Sequence, residues 1–226
     1  MATRLLADGF ERLAPELLAA WREIPVTIAS DVSPDRIVID PLIRPLRPLP
    51  LGVRMVGQAV TAWCERGDFG AMLHALDLSQ AGDVVVVDAG GCLQTAYAGE
   101  ILCGHARRRG IAGLVIDGAL RDIDTIASWP DFPAYARGNT ARGPLSKDKG
   151  TVMGEILLGG VIVRPGDIIL GDNDGIAVIP LARASGMLEQ ARMRICMEAR
   201  WSAALESGAT LREALAVPDA VPPLRE

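Results

Sequence analysis

The residue types best suited to chemistry fall in two short runs, Gly99-Glu100-Ile101-Leu102 and Asp117-Gly118-Ala119-Leu120-Arg121-Asp122. A helix opening at Gly99 leaves the N–H groups of Glu100, Ile101 and Leu102 without intrahelical partners, at the positive end of the helix dipole, where a carboxylate can sit. Glycine at 99 lets a ligand approach the backbone without meeting a Cβ atom. Arg121 offers a planar fork that can hold a carboxylate with two hydrogen bonds. Asp122 supplies a hard oxygen suited to Mg²⁺ or Mn²⁺, which take one or two protein carboxylates and keep several waters. Such parts suit gripping a small 2-oxo acid and stabilising an enolate. A plainer reading stands beside each: an empty helix cap at Gly99, and Asp122 capping the next helix while Arg121 pairs with it or with Asp124.

The elements that must position these groups follow from pattern. Four consecutive valines, Val84 to Val87, indicate a strand buried on both faces, entered from the turn Gly82-Asp83. Residues 99–109 read as a helix, 113–116 as a short buried strand and 121–129 as a further helix. With a strand over 53–63 and a helix over 70–79, this order implies an α/β unit with parallel pairing. Arg121 and Asp122 then lie at the C-terminal end of a strand, where open α/β sheets place their ligands.

The flanks read differently. Apolar residues at helical intervals predict an amphipathic helix over 3–22, and the prolines of residues 37–51 leave an extended connection. Beyond Pro130 the pattern turns to β, with strands over 132–137, 155–163, 167–170 and 176–179 separated by the turns Arg164-Pro165-Gly166-Asp167 and 171–175. A long helix covers 183–207, with Leu188, Ala191, Ile195 and Ala199 on one stripe. We expect one α/β domain over residues 1–216 and a surface tail over 217–226.

Bulk properties narrow the function. The chain has 226 residues, is 50% hydrophobic and carries a net charge of -5, which gives no electrostatic footprint for nucleic acid. No apolar stretch approaches the roughly 20 residues of a membrane helix. Asp8 and Glu11 come too early for a signal-peptide core, so a cytoplasmic location is expected. Cys64, Cys92, Cys103 and Cys196 show no CxxC spacing and read as buried free thiols. A Schiff-base mechanism is disfavoured, because Lys147 and Lys149 are the only lysines and both lie in a polar loop. His74 and His105 lack metal-site spacing, and no dinucleotide or Walker motif follows a strand. A second Gly-Glu-Ile-Leu, at 154–157, leads into a strand context and is assigned to the β layer.

With these motifs in place, the chain resembles the family that contains 4-hydroxy-4-methyl-2-oxoglutarate aldolases and the regulator of ribonuclease activity A. The likeness runs from residues 25–32 through 56–61, 82–88, 99–102 and 113–122 to 163–167 and 174–180. It implies a β core wrapped by helices, of the swivelling β/β/α type, assembled as a homotrimer or dimer of trimers with sites between subunits. It also implies that Gly99, Glu100, Ile101, Leu102 and Arg121 bind a pyruvate moiety and that Asp122 holds the divalent metal, partly through waters. Glu198 of a neighbouring subunit is the candidate for a further carboxylate. The implied activity is class II cleavage of a 4-hydroxy-2-oxo diacid such as 4-hydroxy-4-methyl-2-oxoglutarate or 4-carboxy-4-hydroxy-2-oxoadipate. Oxaloacetate decarboxylation follows as a side activity, because loss of carbon dioxide leaves the same enolate. Glu100 or a metal-bound water is the candidate base. The family's other branch implies the alternative, a non-catalytic protein that binds and inhibits a ribonuclease. Members of that branch tend to lack the acid after the Arg; this chain keeps Asp122.

Overall fold

A computed structural model describes residues 2–221. In chain order its elements are β1 (Arg4–Leu5), α1 (Pro15–Arg22), α2 (Val26–Asp31), β2 (Arg44–Pro45), β3 (Met55–Trp63), α3 (Gly70–Leu78), β4 (Val84–Ala98), α4 (Glu100–Arg108), β5 (Gly113–Leu120), α5 (Ile123–Ser128), β6 (Ala134–Asn139), β7 (Thr151–Val152), β8 (Ile156–Leu158), β9 (Val161–Val163), β10 (Ile168–Gly171), β11 (Ile176–Ile179), α6 (Ala184–Glu206) and α7 (Leu211–Leu215). Strands β3, β4, β5 and β6 lie side by side and parallel, as the strand–helix alternation predicts. Strand β10 pairs antiparallel with both β3 and β11, which extends the β layer.

The valine run explains the layering. Val85 and Val87 pack with Met72, Leu76, Cys103, Ala106 and Ile126 from the helical side, whereas Val84 and Val86 pack with Ile39, Ile43, Leu158, Ile169 and Val178. All four valines are completely buried, each contributing roughly 1.5–3 kcal/mol by leaving water. A third cluster, with Trp21, Ile28, Leu170, Ile179 and Leu188, seats α1, α2 and α6 on the β10–β11 pair.

A partly buried ionic network ties the parallel strands to the β8–β9 hairpin. The Arg137 guanidinium donates to Asp117 Oδ1 at 2.5 Å and to Asp40 Oδ2 at 2.8 Å, and Asp117 Oδ2 accepts from the Gly159 N–H at 3.1 Å. Asp88 stands opposite Asp117 across the β4–β5 ladder. Burial holds the Asp88 carboxyl above its usual range, the charge of Asp117 adds to this, and a hydrogen bond from Gly90 opposes it.

Several expectations need correction. The helix expected over 3–22 begins only at Pro15, because proline lacks the N–H and its ring blocks the preceding turn. Ahead of it, Arg4 and Leu5 form a short strand against Thr151 and Val152. The single strand expected over 155–163 is a hairpin, turned by Gly159 and Gly160 in left-handed backbone conformations. Helix α2 carries no clear periodic signal in its six residues. The stripe on α6 buries Leu188 and Ala191, but Ala199 is exposed. Cys64, Cys92 and Cys103 are buried, whereas Cys196 is exposed. Burial pushes the Cys64 and Cys103 thiols up to about 12. In the expected tail, residues 222–226 lie outside the described residues. Among the described residues no helix is long and apolar enough to cross a membrane.

Candidate active site

The two strands that deliver the site are longer than their apolar runs. Gly90 and Gly91 take left-handed φ values of 60° and 69°, the β4–β5 register shifts beyond Asp88, and β4 then continues to Ala98. Its last rung pairs Ala98 with Leu120, and the Arg121 N–H donates to the Ala98 carbonyl at 3.0 Å. The residues that leave these neighbouring strand ends, Gly99 on one side and Arg121 and Asp122 on the other, therefore meet.

Asp122 adopts a left-handed conformation, φ 57° and ψ 40°, uncommon for a residue with a side chain. It stands at the N-cap of α5 but makes no side-chain cap bond there. Instead its Oδ2 accepts from the Glu100 N–H at 3.0 Å, and Arg121 Nε lies 3.7 Å from the same oxygen. The plainer reading thus fails for the cap and holds for the Arg121–Asp122 pair. A carboxylate at the start of α4 gains from the helix dipole. One of the three amides expected to be free is consequently taken, while the N–H groups of Ile101 and Leu102 have no hydrogen-bond partner among the described residues.

Space at this junction depends on glycine. A Cβ on Gly99 would lie 2.3 Å from Asp122 Oδ2 and 2.9 Å from Arg121 Cγ, and one on Gly143 would lie 2.7 Å from Arg121 Nη1. Gly99, Arg121 and Asp122 line a cavity of about 230 Å³ together with Phe69, Leu102 and Pro144. On the other side of Arg121 and Asp122 lies a polar hollow of about 390 Å³ that Asp124, Asn139 and Thr140 share. The Arg121 and Asp122 side chains are both about two-fifths exposed (42% and 43%), so solutes can reach them. The Glu100 side chain is exposed and lines neither space.

The donor set discriminates between metals. Among the described residues no group of three or more His, Cys, Asp or Glu side chains could hold an ion, which does not suit zinc and its tetrahedral N/S cage. Asp122 has one oxygen engaged by Glu100 and the other without a hydrogen-bond partner among the described residues. One accessible carboxylate fits Mg²⁺ or Mn²⁺, which keep most of their waters. Glu198 is not part of this cavity within one chain. It lies on α6, where Arg194 Nε donates to it at 2.8 Å and the same guanidinium reaches Asp31.

Sequence reasoning missed Asp68. Its carboxylate accepts from Ser146 Oγ at 2.5 Å and from the N–H groups of Gly70, Asp148 and Lys149, pinning the 144–149 loop beside the cavity. Burial pushes its carboxyl upward, but these hydrogen bonds outweigh that and hold it below the usual carboxylate range. The one local signal is Asp68 two residues before Gly70, an Asx-turn pattern.

The mixed α/β fold brings a guanidinium, a carboxylate and free helix-start amides to adjacent parallel strand ends, an arrangement with the chemistry to hold a small anion. The chain belongs to the RraA-like family, described as Aldolase/RraA, which it matches over residues 28–178. It is 36% identical, over 179 residues, to a protein of Halalkalibacterium halodurans provisionally named 4-hydroxy-4-methyl-2-oxoglutarate aldolase, covering 79% of this chain and 83% of the relative. Among solved structures it is similar to an uncharacterized protein from Pseudomonas syringae, at a TM-score of 0.80 and 28% identity over 92% of this chain and 97% of that one. It also resembles Streptomyces coelicolor RraAS2, described as an unusual member of the RNase ES inhibitor RraA protein family, at a TM-score of 0.75 and 26% identity over 84% and 96% of the two chains.

Proposed function

We propose that this chain is a divalent-metal-dependent pyruvate aldolase that cleaves the C3–C4 bond of a 4-hydroxy-2-oxo acid. The observation that carries the reading is the convergence of Arg121, the accessible carboxylate of Asp122 and the free amides of Ile101 and Leu102. Asp122 would hold Mg²⁺ or Mn²⁺, with Glu198 of another copy contributing in a trimer or a dimer of trimers. A metal there supplies Lewis-acid polarisation of the 2-oxo group. The Ile101 and Leu102 N–H groups donate to the substrate carboxylate. Arg121 holds the pyruvate end and stabilises negative charge as the bond breaks. Glu100 or a water beside Asp122 takes the proton of the 4-hydroxyl. If carbon dioxide leaves instead of an aldehyde or ketone, the same groups support oxaloacetate decarboxylation. The buried free thiols suit a cytoplasmic location.

The test is a coupled assay for pyruvate with 4-hydroxy-2-oxo acids and with oxaloacetate. Release should stop on treatment with EDTA and return with Mg²⁺ or Mn²⁺; undiminished release after thorough chelation would remove the metal from the account. No release from any of these acids with metal present would turn the reading to a ribonuclease-binding protein, which the likeness to RraAS2 favours.

A further inference from the structure

The segment that leaves β6 passes between the two spaces that meet at Arg121 and Asp122. Ala141 lines the polar hollow and Pro144 lines the cavity, so Arg142 and Gly143 form the partition between them. Its course is fixed at several points. The Thr140 N–H donates to the Leu120 carbonyl at 3.0 Å, the Arg142 carbonyl accepts from the Ala96 N–H at 2.8 Å, and the Leu145 N–H donates to the Gly67 carbonyl at 2.8 Å. Gly143 is thereby held against the Arg121 guanidinium. That guanidinium needs a support, because its Nε stands 3.7 Å from Asp122 Oδ2 and it has no hydrogen-bond partner among the described residues. A side chain of this length carries much rotamer freedom, which packing alone restricts here.

The backbone at 143 does not call for glycine. Its φ lies outside the left-handed region, and the proline that follows restricts residue 143 to extended conformations that alanine also adopts. What a Cβ would meet there is Arg121: Nη1 lies at 2.7 Å and Cζ at 3.6 Å, and among the described residues nothing else beyond its chain neighbours comes within 4 Å. An approach of 2.7 Å is well inside the roughly 3.5 Å of ordinary contact, so the tip of the arginine would have to retreat by about 0.8 Å. Gly99 differs, because a Cβ there meets Asp122 Oδ2 at 2.3 Å as well as Arg121.

We propose, resting on the aldolase reading, that Gly143 is a positioning residue: its bare Cα is the stop against which Arg121 sets its reach toward the pyruvate end of the substrate. The contact is made within one chain and needs no second copy. When the guanidinium is pushed back, the Ile101 and Leu102 amides still hold the substrate carboxylate. What is lost is charge stabilisation as the enolate forms.

The experiment measures pyruvate release, with Mg²⁺ or Mn²⁺, from oxaloacetate and from 4-hydroxy-4-methyl-2-oxoglutarate by the wild type, Gly143→Ala, Arg121→Ala and the double variant. Gly143→Ala should lower kcat about 10²-fold, the loss that a misplacement of about an ångström can cause, with KM little changed. Its melting temperature should match or exceed that of the wild type, since alanine narrows the unfolded ensemble and fits the folded backbone. In the Arg121→Ala background the same substitution should change kcat less than about 2-fold, because the group it displaces is gone. Binding of oxalate, a planar dianion shaped like the enolate, runs the same cycle without turnover: about 10-fold weaker in Gly143→Ala, and unaltered by that substitution once residue 121 is alanine. Wild-type turnover in Gly143→Ala, a lowered melting temperature, or equal losses in both backgrounds overturns the inference and leaves the aldolase reading standing. Release from neither acid by the wild type overturns both.

Discussion

Replacing Arg121 by alanine should lower turnover about 10²–10³-fold, the usual loss when one preorganised donor at a developing oxyanion is removed, with the fold intact. The stability cost should be small. The side chain is 42% exposed and its one ion-pair partner among the described residues is Asp122 at 3.7 Å, an arrangement of the kind that contributes at most about 1 kcal/mol. What ties residue 121 into the sheet is its backbone N–H on the Ala98 carbonyl, which alanine keeps. Asp122 retains its hydrogen bond from Glu100. Arg121→Lys should recover little, because a point charge on a flexible stem does not reproduce the planar fork. Steady-state pyruvate release beside a denaturant melt separates these effects. Near-normal turnover would place the anion site elsewhere.

The largest stability effect is expected at Arg137. Its guanidinium is the shared partner of Asp117 and Asp40, with side-chain exposures of 16% for Arg137, 9% for Asp117 and 30% for Asp40. Arg137→Met leaves those carboxylates without their cation beside Asp88. Breaking a fully buried pair from one side typically costs about 3–5 kcal/mol, and the partial exposure of Arg137 and Asp40 puts the expected loss at about 2–3 kcal/mol. Urea unfolding of the variant and the wild type at neutral pH measures it. The sign of the pH dependence follows from Asp40, whose carboxyl is held below its usual range by the Leu42 N–H and by Arg137. A group of that kind stabilises the fold above its unfolded-state value and loses the contribution as pH falls through the folded one, and Arg137→Met removes the part that Arg137 supplies. The deficit of Arg137→Met should therefore be greatest at neutral to alkaline pH and shrink in acid. A loss under about 1 kcal/mol at neutral pH would mean that water already screens the network.

What the chain revealed in advance depended on how local the cause was. The buried valines, the helix opening at Gly99 and the parallel strand order rest on composition and spacing within a few residues, and the structure agrees with each. Strand β4 runs on to Ala98 because Gly90 and Gly91 bend it while β5 keeps pairing with it, and that compensation lies in the neighbour, not in the run itself. The left-handed turn at Asp122, which swings its carboxylate from α5 onto α4, has no single-residue signature. Nor does the Asp68 clamp, whose partners stand about 80 positions along the chain (78, 80 and 81 for Ser146, Asp148 and Lys149). Pro15 was legible and outweighed by the periodicity around it; the missing N–H of proline decided where α1 begins.

The central claim is that Arg121 and Asp122, beside free helix-start amides, stabilise a pyruvate enolate. The most direct measurement needs no knowledge of the distal substrate: ¹H NMR of pyruvate's methyl group in D₂O with protein and Mg²⁺ or Mn²⁺. An enzyme that protonates this enolate during cleavage must also form it from pyruvate, so the wild type should exchange the methyl hydrogens for deuterium, and Asp122→Ala should not. A methyl signal that persists at the rate of protein-free solution, or exchange that survives in Asp122→Ala, would contradict the account.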